Sequence, residues 1–211
     1  MAKGFRRRGS GEGVRYAASL DSAERATVAG LMDQVRDLLA PAQIEATDDD
    51  DAFASIVASL GMGVSVSAED QVGIADLPGE MDPALARLLP TANLQDDEMA
   101  TEFRRLTETG LRQRKAEALV TAAALLRGED RLRLDGVQAR TLLIALTDVR
   151  LVLGERMGLH TEEDMAGLEA AAEADEEGPL GYALAVYDFL TWLQETLASA
   201  LLAARPHGRT E

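Results

Sequence analysis

Two stretches of the chain repeat apolar residues at the same helical step, and they constrain the fold more than any other feature. Leu142, Leu146, Val149, Leu153 and Met157 recur at intervals of four, three, four and four. Val186, Leu190, Leu193, Leu197 and Leu201 repeat the same intervals. This spacing gathers each set onto one side of a helix, and an apolar helical stripe must be buried against another element. The chain is 46% hydrophobic but only 4% aromatic, so Leu, Ala and Val must build most of the core. Ala and Leu are also the strongest helix formers. The fold class expected is mainly α: a compact helical bundle with a small N-terminal β-hairpin.

The hairpin is read from the first twenty residues. Val14, Tyr16, Ala18 and Leu20 alternate with small or polar residues, as in a half-buried strand. Gly9, Gly11 and Gly13 supply the turn that joins this strand to Phe5–Arg8. A disordered arm is the alternative. Residues 1–20 are therefore expected to form a basic hairpin or arm, residues 21–205 a helical bundle in one domain with it, and residues 206–211 a disordered tail.

Within the bundle, Asp21 with Glu24 reads as a capping box for a helix to about Leu39. A short helix is expected near 52–60 behind the acidic run Asp48–Asp51, and a loop over 61–80. Asp82-Pro83 opens another short helix. A long helix runs from Asp96 or Asp97 to about Arg127, with Gly110 as a point of kinking, and Leu132–Leu134 reads as extended. Asp135 with Gln138 caps the 142–157 helix. Thr161–Glu177 carries eight acidic residues and no basic ones, the pattern of a solvated loop or weak helix. The last helix runs from about Leu180 to Ala204, its second side carrying Tyr182, Phe189 and Trp192.

Several function classes are excluded or disfavoured. There is no cysteine, so disulfides, thiolate nucleophiles and thiol metal sites are impossible. No apolar run spans a membrane, and no secretory signal follows the basic start, so a cytoplasmic location is expected. Neither His160 nor His207 has a second histidine or a cysteine as a metal-ligand neighbour at helical spacing, and no phosphate loop, nucleophile elbow or dinucleotide fingerprint occurs. Asp48–Asp51 lacks the alternating ligands and glycine of a calcium loop. The expectation is a non-enzymatic chain with no catalytic residues, no cofactor and no metal.

Two constellations remain. Lys3, Arg6, Arg7, Arg8 and Arg15 against Glu12 form a basic patch on a chain of net charge −16. On a hairpin some of these arginines share one side. Arg6, Arg7, Arg8 and Arg15 are candidates for contact with DNA phosphate or an acidic protein, although the overall charge weakens the case for DNA. The competing reading docks the basic arm on the chain's own acidic segments. The second constellation is polar residues set into apolar helices: Glu102, Arg104, Asp148, Arg150, Gln194 and Glu195. Unpaired buried charge is costly, so they are read as a structural interhelical network before a catalytic carboxylate pair.

Three segments together carry a family resemblance. Asp82-Pro83-Ala84-Leu85-Ala86-Arg87-Leu88-Leu89-Pro90 leads through Asp96-Asp97 to Glu102-Phe103-Arg104-Arg105-Leu106-Thr107; Leu146-Thr147-Asp148-Val149-Arg150 continues to Gly154-Glu155-Arg156; and Val186-Tyr187-Asp188-Phe189-Leu190-Thr191-Trp192-Leu193-Gln194-Glu195 closes the set. They resemble the AosR-like family of actinobacterial proteins, a domain of unknown function. The resemblance implies a cytoplasmic transcription regulator of oxidative stress that acts with an extracytoplasmic-function sigma factor and affects cysteine-biosynthesis genes. It also implies redox control through cysteines, which this chain cannot exercise. The functional expectation is thus a regulatory binding protein whose partner is a sigma factor or transcription machinery, without a thiol switch. A structural or adaptor homodimer is the alternative, in which a stripe such as Val186–Leu201 pairs between chains or else fills one chain's core.

Overall fold

In the computed structural model, the described residues are 2–40, 82–89, 99–128, 131–175 and 178–203, excluding the side chains of Glu12 and of residues 99–107. Among them the strands and α-helices in chain order are β1 (Lys3–Arg8), β2 (Arg15–Ser19), α1 (Ser22–Leu39), α2 (Pro83–Leu88), α3 (Met99–Arg127), β3 (Arg131–Leu134), α4 (Gly136–Arg156), α5 (Glu162–Ala174) and α6 (Pro179–Leu202), with one 3-10 turn, Gly11–Gly13, between β1 and β2. The chain is mainly α with one small antiparallel sheet. The helix expected near 52–60 and the loop over 61–80 lie outside the described residues.

Local chemistry explains the element boundaries. Asp21 and Asp135 each accept the N3 backbone N–H while the N3 side chain, Glu24 or Gln138, bonds back to the cap. Asp82 accepts from the Ala84 N–H, with Pro83 at the first helical position. Gly158, at φ +70, terminates α4. There the Leu159 N–H reaches back to the Gly154 carbonyl at 2.7 Å. α3 passes through Gly110 as one continuous helix. Of the two expectations for the acidic stretch Thr161–Glu177, loop or weak helix, the helix holds over Glu162–Ala174. Thr161 and Asp164 form a full capping box, and α5 runs to Ala174 without burying a residue.

α4 is the organising helix. It packs against α1, α2, α3 and α6 and touches β2 and β3. Its stripe Leu142, Leu146, Val149 and Leu153 is buried. Val186, Leu190, Leu193 and Leu197 of α6 are buried in the same core. That stripe therefore fills the chain's own core and is not free to pair with a second chain.

The sheet departs from a simple hairpin. Its order is β1-β2-β3, so residues 131–134 add a third strand across the chain from the first two. Phe5, Tyr16, Ala18, Leu132 and Leu134 point inward and belong to the same core as the helices. β1 lies along α6. The Phe5 N–H donates to Thr196 Oγ1 at 3.2 Å, and a Cβ on Gly4 would come within 2.7 Å of the Thr196 methyl. Arg25 of α1 fixes the corner leading to β3, donating to the carbonyls of Leu126 at 3.2 Å and Gly128 at 2.8 Å.

Candidate functional site: the basic outer side of the sheet

Register decides which side chains meet on the outside of the sheet. Opposite residues share a side. Lys3 pairs with Ser19, Arg6 with Ala17 and Arg8 with Arg15. On the other edge of β2, Ser19 pairs with Arg131 and Ala17 with Arg133. Three β1 steps separate Lys3 from Arg6 while only two separate Ser19 from Ala17. This bulge of one residue returns Lys3 to the same side as Arg6. Gly9, at φ +78 and 2.8 Å from the Gly13 carbonyl oxygen at its notional Cβ, closes the β1–β2 turn beside them.

The result is two walls of cations. Lys3, Arg6 and Arg8 stand on β1, and Arg131 and Arg133 stand on β3. They are separated by two strand spacings, about 9.6 Å. Arg15 closes one end, and the floor between the walls is Ala17 and Ser19. The open trough has a volume of about 940 Å³, and Trp192 of α6 lines it on the β1 side. Its ring is backed by Phe189, with centroids 5.7 Å apart.

All six cations are exposed. Among the described residues, Lys3, Arg6, Arg8, Arg131 and Arg133 have no carboxylate within ion-pair distance. Arg15 has an acidic neighbour. The Asp135 carboxyl is held below the usual carboxylate range, first by the backbone N–H of Gln138 and then by that of Val137, with the charges of Arg15 and Arg140 adding to them. Arg8 facing Arg15 is a like-charge pair, which is unfavourable in a sheet without an anion nearby.

Arg7 does not join its neighbours. It pairs with inward-facing Tyr16 and lines a separate small groove with Glu195, Thr196 and Ser199. Arg6, Arg8 and Arg15 are thus brought together, and Arg7 is set apart. Sequence reasoning missed Arg131, Arg133 and Trp192 as members of the site. The available signal was the alternation Arg131-Leu132-Arg133-Leu134, which marks a strand with a charged outside.

The embedded polar residues form two separate contacts. Asp148, 2% exposed, accepts from Lys115 Nζ at 2.6 Å. Burial pushes its carboxyl above the usual range, against the opposing hydrogen bond and charge of Lys115. Arg150 donates to Gln194 at 2.7 Å and to the Tyr187 hydroxyl at 3.2 Å, and Gln194 donates to Thr147 at 2.9 Å. Glu195 is exposed beside Arg7 and takes no part in either contact. The side chains of Glu102 and Arg104 lie outside the described residues. Among the described residues no group of three or more His, Asp or Glu side chains is arranged to hold a metal, and no helix is long and apolar enough to cross a membrane.

The match that places the chain is to a family model covering residues 2–201, described as domain of unknown function DUF2017. The chain belongs to this DUF2017 family. No curated protein and no solved structure matches it. The matched span includes all three strands and every described helix but the last residue of α6, so the residues that line the basic trough lie within it.

Proposed function

We propose that this DUF2017 protein is a non-enzymatic regulatory binding protein that engages an anionic macromolecular partner through the outer side of its sheet. The observation that carries the reading is the convergence of six exposed cations from three strands, five without an ion-pair partner among the described residues. Arginine in such numbers suits phosphate or carboxylate recognition, because its planar donors bind either group in bidentate fashion.

The three segments that resemble the AosR-like family extend this reading. They support an actinobacterial, cytoplasmic transcription regulator of oxidative stress acting with a sigma factor. With no cysteine in the chain, regulation here proceeds without a thiol switch. The test is crosslinking and mass spectrometry in the native cell with the wild type and with a variant carrying Arg6, Arg8, Arg131 and Arg133 changed to Glu. The expected result is a transcription component recovered by the wild type and lost by the variant. Recovery of no such component by the wild type defeats the transcription reading.

A homodimeric adaptor is the second reading, favoured by a different observation. Val137, Ile144 and Leu151 of α4 are 66%, 52% and 40% exposed and recur at steps of seven. This spacing aligns them along one side of the helix, the pattern of an interhelical seam. Light scattering with the wild type and Ile144→Lys checks it. A wild type that is monomeric at every accessible concentration rejects it.

A further inference from the structure

We infer that the occupant of the trough is single-stranded nucleic acid, its phosphates held between the cationic walls and a base stacked on Trp192. The inference rests on the anionic-partner reading above and goes further by naming the partner. Three features select this ligand.

The first is width. The walls stand about 9.6 Å apart across β2, with Ala17 and Ser19 leaving the midline open. That admits one extended chain lying along the strands. A duplex is wider than the trough and keeps its bases stacked inside, away from the indole. The second is charge spacing. Successive outward residues on one strand are about 6.8 Å apart, a step comparable to that between successive phosphates of an extended single strand. Arg6–Arg8 on one wall and Arg131–Arg133 on the other repeat this step on both sides of the midline.

The third is Trp192. A half-buried indole, backed by Phe189, at the rim of an arginine-lined groove combines the two contacts that non-specific single-strand binders use: a cationic track for the backbone and an aromatic platform for bases. An acidic peptide matches the charge but brings no flat group for the indole. The chain's net charge of −16 opposes long-range attraction. The contacts in the trough act well within the screening length of about 8–10 Å, so they are made at close range.

Trp192 is the single tryptophan of the chain, so its fluorescence reports directly on this site. The experiment titrates the full chain with a single-stranded oligothymidylate of about eight nucleotides, within the usual range of site sizes. A duplex of equal length and a polyglutamate peptide are titrated in parallel. The expected result is quenching by the single strand, weakening with salt at a logarithmic slope of about −2 to −4, as three to six neutralised phosphates require. Arg131→Gln/Arg133→Gln is expected to weaken binding at least about tenfold with an unchanged melting temperature. Trp192→Ala, followed by anisotropy of a labelled oligonucleotide, is expected to weaken it roughly five- to a hundredfold. Duplex binding as tight as single-strand binding, with no quenching, overturns the inference. Polyglutamate binding without oligonucleotide binding also overturns it but leaves the anionic-partner reading standing. If none of the three probes binds, both fall.

Discussion

Lys115 and Asp148 show how much depends on single residues in this core. Asp148 is almost fully buried and its carboxyl is pushed upward, so removing Lys115 leaves a buried charge with no compensation. Lys115→Met is expected to cost about 3 kcal/mol in chemical denaturation, and Lys115→Met/Asp148→Leu to recover most of it. The pH dependence has a definite sign. A carboxyl whose folded value is raised contributes most to stability when protonated, and that contribution is lost as pH rises through the raised value. The deficit of Lys115→Met should therefore shrink as pH is lowered toward the ordinary carboxylate range. Equal deficits at neutral and acid pH would contradict this account. Gly4 makes a second residue-scale case. Its absent Cβ lets β1 approach Thr196, so Gly4→Ala is expected to destabilise by about 1–3 kcal/mol. Adding Thr196→Ser removes the methyl nearest to the new Cβ and should restore part of the loss.

At the scale of elements, the caps do visible work and their titration can be followed. Asp135 bridges the end of β3 and the start of α4, accepting from the N–H groups of Val137 and Gln138. A lowered carboxyl stabilises the fold above the ordinary carboxylate range and loses that effect as pH falls through its folded value. Asp135→Asn should lower the melting temperature at neutral pH, with the gap to the wild type closing under acid conditions. A constant gap would mean that the charge at Asp135 contributes nothing. The caps, the two apolar stripes and the Asp82-Pro83 start were all legible in sequence, because each depends on residues within one or two helical turns. The helix Glu162–Ala174 was less legible. Eight carboxylates suggested solvent, and α5 is indeed without a buried residue, yet Thr161 and Asp164 still close a capping box at its start.

Across the whole molecule, the sheet and the bundle share one core. Phe5, Tyr16, Leu132 and Leu134 sit in the same buried cluster as Leu146, Leu190 and Leu197. Phe5→Ala is accordingly expected to cost about 3–5 kcal/mol and to lower the stability of the entire chain. Trp192 fluorescence and helical circular dichroism should shift together; an early fluorescence transition with an unchanged helical one would show a separately melting arm.

The sequence by itself determined the mainly helical class, the caps, the two stripes and the exclusion of thiol chemistry, because periodicity, capping and composition are local properties. It also located four members of the basic site, Lys3, Arg6, Arg8 and Arg15. Tertiary structure decided the rest of that site. Arg131 and Arg133 lie more than a hundred residues from β2 in sequence and reach it only because β3 pairs with Tyr16–Ser19. The one-residue bulge in β1 sets Lys3 beside Arg6, while the pairing of Arg7 with Tyr16 turns it away. Strand register between distant segments is a non-local property, and here it is what turns scattered arginines into a two-walled trough.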